Sequence, residues 1–223
     1  MSGSGYPLLI ASNRGPLSFS VADDGTLTAS RGGGGLVTGL SSLGGTEVIW
    51  VCAALSDGDR QATRRAPAGR LDEAGHDTGG MAVRMLDIDP ATFNRAYNQI
   101  ANSTLWFVHH LLYATPTSPN FDATFRREWA SFVAYNKAFA AALAEEAAEG
   151  AKVLVQDYHL TLTPRFLREL RPDLRIGHFS HTPWAPVDYF RLLPADVGRE
   201  TLLGMLGSDH TGFHSPRWAQ AFA

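Results

Sequence analysis

Cysteine is almost missing from this chain. Its 223 residues include one, Cys52, so no disulfide scaffold can form within it, which suits a reducing cytosol and a cytoplasmic protein. Cys52 sits in the apolar run Val48-Ile-Trp-Val-Cys-Ala53 and reads as a small buried hydrophobe. Long apolar runs are missing too: nothing approaches the roughly 18 residues of a membrane span. The opening Met1-Ser-Gly-Ser-Gly5 has neither the basic region nor the apolar core of a signal peptide. Excess basic charge is also lacking. A net charge of −3 runs against the strong positive field that nucleic-acid and membrane-surface binding require. Metal-ligand spacing is absent: among His109, His110, His159, His178 and His181 there is no His-x-x-x-His pair with a helical carboxylate between, and there is no second cysteine. No metal and no cofactor is expected, and most of these histidines read as buried and satisfied. His178 and His181, three apart around a strand end, should point different ways. Finally, Asp157 has no acidic partner at another strand end, as a two-carboxylate hydrolase would need. Asp188 and Asp196 read as helix caps.

What is present is alternation. Strands are expected at 8–11, 48–53, 81–86, 153–156, 175–179 and near 211–213, with a hairpin turning at Asp23-Asp24-Gly25. Helices are expected at 36–43, from Pro90 onward, over 121–149 with Gly150 as terminator, over 164–170, and over 188–206 broken at Pro194 and Gly198. Residues 56–80 look like loop. Strand and helix alternating at this spacing imply an α/β fold: a Rossmann-like parallel sheet with helices on both faces. The chain ends at Trp218-Ala-Gln-Ala-Phe-Ala223 as another helix opens, so residues 1–223 read as one domain of a longer protein.

In such sheets, ligands bind outside the carboxyl ends of the strands. Two apolar runs end abruptly in ionisable residues, Val153-Leu-Val-Gln-Asp157-Tyr-His159 and Ile176-Gly-His-Phe-Ser-His181-Thr-Pro183. Asp157 and His181 should therefore face one crevice. Arg14 follows the first strand, where a guanidinium can fork onto a phosphate or pair with a surface carboxylate. Gly32 to Gly35 precede a helix. They free the backbone to approach a phosphate or sugar, or simply make a turn, and they match neither a Walker A loop nor a dinucleotide fingerprint. Tyr97 and Trp106 lie on one helical stretch, more than two turns apart, so they share a face only loosely. Aromatics there are either core or, beside Asn98, Gln99 and Asn102, a platform for a sugar ring.

Taken in order, Ser12-Asn13-Arg14, Gly34-Gly35-Leu36, Tyr97-Asn98 with Asn102, Leu105-Trp106, Asp157-Tyr158-His159, His181-Thr182-Pro183 and Gly212-Phe213-His214 make the chain similar to the N-terminal half of the trehalose-6-phosphate synthases. These are retaining GT-B glycosyltransferases of family 20. The resemblance implies transfer of glucose from UDP-glucose or GDP-glucose to glucose 6-phosphate, giving α,α-trehalose 6-phosphate. By the same resemblance Arg14, Tyr97 and Trp106 bind the acceptor, Gly34 and Gly35 close over the donor diphosphate, and Asp157 and His181 act at the reacting sugars. A C-terminal domain that binds the donor is absent from this chain, which alone should be inactive. Phe107 and Trp184-Ala185 depart from the family pattern, leaving two alternatives: a cyclitol-coupling pseudo-glycosyltransferase and a non-catalytic sugar-phosphate-binding domain. Homo-oligomerisation is left open.

Overall fold

A computed structural model describes residues 5–33, 35, 39–40, 47–114 and 118–223. Six strands form one parallel sheet: β1 (Tyr6–Ala11), β4 (Val48–Ala53), β5 (Ala82–Leu86), β6 (Ala147–Gln156), β7 (Arg175–Ser180) and β8 (His210–Phe213), in the order β5-β4-β1-β6-β7-β8. β1 lies at the centre, Leu9 opposite Ile49 on one side and Val153 on the other. The order reverses at β1, between β4 and β6, which is where open α/β sheets leave a crevice. β2 (Leu17–Val21) and β3 (Leu27–Arg31) form the expected antiparallel hairpin.

Period-two alternation divides the apolar side chains between two cores. Leu9, Ala11, Ile49, Val51, Val153 and Val155 face one side, where they meet Phe132, Tyr135, Phe139 and Leu143. Ile10, Trp50 and Cys52 face the other, against Phe19, Leu71 and Met85. Cys52 is fully buried, and burial pushes its thiol above the ordinary range.

The long helix α4 (Ala123–Glu146) supplies much of the first core. Asp122 caps it, accepting from the Thr124 and Phe125 amides at 2.8 and 3.0 Å. It ends three residues before the expected 149, because Ala147 already pairs with Tyr6 at the start of β6. A helix-competent Ala-Glu sequence yields there to strand pairing. The segment expected to be loop holds α1 (Asp57–Arg65). Its start is a capping box, Ser56 Oγ accepting the Asp59 amide and Asp59 Oδ2 accepting the Ser56 amide, both at 3.0 Å. Asp59 Oδ1 also accepts the Phe19 amide at 2.7 Å, tying the helix to the hairpin. At Gly58 a Cβ would stand 2.2 Å from the Phe19 carbonyl oxygen, so this contact requires glycine.

After α2 (Pro90–Asn94), the residues Arg95–Leu105 wind as π-helix before α3 (Trp106–His109). The remaining helices are α5 (Thr163–Leu170), α6 (Val187–Phe190), α7 (Ala195–Met205) and α8 (Pro216–Phe222). Pro194 breaks the chain before α7 as expected, whereas Gly198 lies inside it without interrupting it. Most of the helix expected over 36–43 lies outside the described residues. No described helix is long and apolar enough to cross a membrane.

Candidate functional site

The carboxyl ends of β1, β6, β7 and β8 form one edge, and Asp157 is its centre. At the end of β6 its backbone turns to φ +73, ψ 170, a region that is essentially glycine's. The turn is held by its amide donating to the Phe179 carbonyl at 2.7 Å and by His178 Nε2, 3.2 Å from its own carbonyl oxygen. The side chain is 19% exposed. Burial pushes the carboxyl up to about 6, partly offset by hydrogen bonds from the Tyr158 and His181 amides and by the imidazoles of His214 and His110.

His181 stands beside it: its backbone amide donates to Asp157 Oδ1 at 3.1 Å. Its Nε2 lies 2.9 Å from Gln156 Oε1, so Nε2 carries the proton and Nδ1 is left bare. Burial, and then the charge of His214, lower its basicity. His178 points the other way, buried beneath the sheet edge. An open cleft of about 610 Å³ is lined by Gly35, Gly39, Leu40, Leu154, Gln156, Phe179, His181 and His214. Gly35 therefore lines the same cleft as His181, while Gly34 lies outside the described residues. Among the described residues, no group of three His, Cys, Asp or Glu could hold a metal ion.

Tyr97 and Trp106 lean on neighbouring residues of one loop. Nine residues are two and a half turns at about 3.6 per turn, which puts them on opposite faces. The i→i+5 winding is wider: Ser103 Oγ donates to the Asn98 carbonyl and Thr104 Oγ1 to the Gln99 carbonyl. Both aromatics thereby reach the loop after Asp157. Tyr97 stacks on His159 at 5.4 Å, and Trp106 tilts against Tyr158 at 5.7 Å. Asn102 Oδ1 accepts from the Tyr158 hydroxyl at 2.7 Å. Trp106 is 38% exposed, so part of its face is free. π-winding of this kind recurs at functional sites.

Arg14 stands on the same edge but touches none of these groups. The backbone before it is pinned from below: Trp50 Nε1 donates to Ser12 Oγ, which donates to the Arg14 carbonyl, both at 2.7 Å, and Tyr135 donates to Asn13 Oδ1. The guanidinium is exposed, and no described residue offers it a hydrogen bond or a carboxylate. The surface ion pair is therefore not what holds this arginine.

Three participants escaped the candidate set. Gln156 fixes the His181 tautomer, His214 lies 5.2 Å from His181, and His110 stacks on Trp106 at 3.8 Å. His214 ends β8 much as His181 ends β7, a repetition visible in the sequence. Of the departures from the family pattern, Trp184 is buried against His109 and Phe190, away from the cleft, and Phe107 stacks on Tyr113.

The model of glycosyltransferase family 20 matches residues 7–223. The chain belongs to glycosyltransferase family 20. Trehalose-6-phosphate synthase of Mycobacterium sp. (strain JLS) is 36% identical over 225 residues, an alignment covering 99% of this chain and 42% of that protein. Validamine 7-phosphate valienyltransferase of Streptomyces hygroscopicus subsp. jinggangensis is 31% identical, covering 98% and 45%. A crystal structure of an α,α-trehalose 6-phosphate synthase from Burkholderia multivorans superposes with a TM-score of 0.73 at 26% identity, covering 98% of this chain and 41% of that one. This family 20 chain thus spans about two fifths of the length of the curated relatives it matches. Its fold is that of the N-terminal part of these GT-B synthases.

Proposed function

We propose that this chain is the acceptor-side domain of a retaining glycosyltransferase that moves glucose from a nucleotide sugar to glucose 6-phosphate, forming α,α-trehalose 6-phosphate in the cytoplasm. The observation that carries the reading is Asp157. A backbone conformation reserved for glycine and a carboxyl pushed up by burial are both unfavourable, and such features persist where they serve a site.

Position supports the following roles. Arg14, exposed and without a partner among the described residues, takes the acceptor phosphate bidentately. Tyr97 and Trp106 present aromatic surface to the acceptor ring. Asp157 accepts from sugar hydroxyls and its charge faces the positive charge that develops at the anomeric carbon. His181, Nε2–H held by Gln156, keeps the bare Nδ1 as acceptor for a further hydroxyl. Gly34 and Gly35 let the backbone approach the donor diphosphate. Retention without a protein nucleophile needs no second carboxylate. A second domain, beyond the two fifths represented here, would supply the cations that stabilise the departing nucleoside diphosphate, usually the largest catalytic contribution. The donor base is uracil or guanine.

The valienyltransferase relative favours a second reading, transfer to a cyclitol phosphate through the same phosphate and ring contacts. A coupled assay for nucleoside diphosphate release separates the possibilities. The chain alone, given UDP-glucose or GDP-glucose and glucose 6-phosphate, should stay at background. Joined to the C-terminal part of a synthase relative it should release nucleotide, and Asp157→Asn should lower that rate more than it weakens binding. Robust release by the chain alone would refute the two-domain reading, and an Asp157→Asn fusion at full rate would remove Asp157 from the chemistry.

A further inference from the structure

Of Asp157-Tyr158-His159, the roles above use Asp157 alone; Tyr158 meets Asn102 through its hydroxyl, whereas the ring of His159 is left without an assignment. Its ring stacks on Tyr97 at 5.4 Å and tilts against Tyr158 at 4.0 Å. The side chain is 12% exposed, yet both ring nitrogens are closed off from solvent and neither has a hydrogen-bond partner among the described residues. Neutral imidazole carries one N–H and one bare nitrogen, and leaving both buried and unmet is costly. Phenylalanine would fill the same slot and stack as well without that cost. Packing therefore does not account for histidine here.

The acceptor within reach is Asp157. Its Oδ2 lies 3.8 Å from His159 Nδ1, just past hydrogen-bond length, while Oδ1 is already engaged by the His181 amide. The histidine is anchored at its root, its carbonyl accepting from Asn136 Nδ2 at 3.2 Å. A small rotation of the carboxylate closes the remaining gap. We propose that His159 is the positioning residue of the site carboxylate: its Nδ1–H closes onto Asp157 Oδ2 and fixes the plane in which the carboxylate meets a sugar hydroxyl.

This rests on Asp157 as the carboxylate of the site, but it is tested without turnover. The other titratable groups facing Asp157 are His181 and His214 from the ends of β7 and β8, His110 from the end of α3, and Tyr158 beside it. Burial holds His159 itself near 3, so it stays a neutral donor while Asp157 titrates.

Two measurements on this chain decide. Long-range proton–nitrogen NMR reads the His159 tautomer directly, and the proton should be on Nδ1. A carbon-13 titration of the Asp157 carboxyl should then move upward by about 0.5–1 pH unit in His159→Phe, which keeps the stack and loses the donor, and return in His159→Asn, which restores an N–H near Nδ1. A purely structural histidine would leave that midpoint where it is. A proton on Nε2, or a His159→Phe titration matching wild type, would overturn the proposal. If His159→Phe fails to fold, the wild-type tautomer still decides. Loss of glucose 6-phosphate binding at Asp157 would instead strike the functional reading, leaving the His159 result standing.

Discussion

Replacing Asp157 with glycine should make the chain more stable and its site useless. Two costs vanish. The backbone at φ +73, ψ 170 strains any side-chain-bearing residue by about 1–3 kcal/mol. The carboxyl, pushed by burial to about 6, stands roughly two units above an ordinary aspartate, so at neutral pH its charge opposes folding by about 3 kcal/mol. With its side chain 19% exposed, solvent screens little of this. Against these stand the bond from the His181 amide, about 1 kcal/mol, and the greater backbone freedom of glycine when unfolded, about 0.5–1 kcal/mol. The variant should gain about 2–4 kcal/mol, roughly 5–15 °C in Tm for a chain of this size. The pH dependence has a defined sign. The folded pKa lies above the unfolded one, so wild type loses stability as pH rises from about 4 through about 6. The advantage of Asp157→Gly should therefore be largest at pH 7 and shrink in acid to the relieved strain less the lost hydrogen bond and the added backbone freedom, which nearly cancel. Asp157→Asn, which keeps the strained backbone, should recover only the charge part. Melting curves at both pH values measure this. An Asp157→Gly chain no more stable than wild type at pH 7, or a gap that does not narrow in acid, would refute the reasoning.

Asn136 is fully buried on α4. It accepts from the Leu162 and Thr163 amides and the Thr163 hydroxyl, and donates to the Phe132 and His159 carbonyls. Asn136→Ala strands two buried amides and should cost about 3–5 kcal/mol, read as a lower Tm and as faster hydrogen exchange at Leu162 and Thr163. Arg14→Ala removes an exposed side chain that has no partner among the described residues and should leave Tm within about 1 °C of wild type.

The strands were legible because each buried one is a short apolar run with a polar end, and the placement of Asp157 and His181 just past strand ends was legible for the same reason. α1 was hidden because capping groups and a glycine contact build it, rather than an apolar stripe. The true end of α4 depends on Ala147 meeting Tyr6, a contact between residues far apart in sequence. That Tyr97 and Trp106 both reach the loop after Asp157 was not legible, because a 3.6-residue period does not describe a π-wound segment. The contacts of Gln156 and His214 with His181 were not legible because they join different strands, and the stacking of His110 on Trp106 was passed over although the two are only four residues apart. Asn136 reads in sequence as one polar residue on an otherwise apolar face, and only the packed loop at 159–163 explains it.

The most direct test of the central claim is a titration of this chain with glucose 6-phosphate, followed by amide NMR. Saturable shifts should appear at Arg14, Tyr97, Trp106 and Asp157, with a Kd on the order of millimolar for half a pocket, and Arg14→Ala should weaken it about tenfold or more, as expected for a lost charged hydrogen bond. No saturable shift at these residues, or equal affinity with and without the Arg14 guanidinium, would contradict the assignment of this edge as the acceptor site.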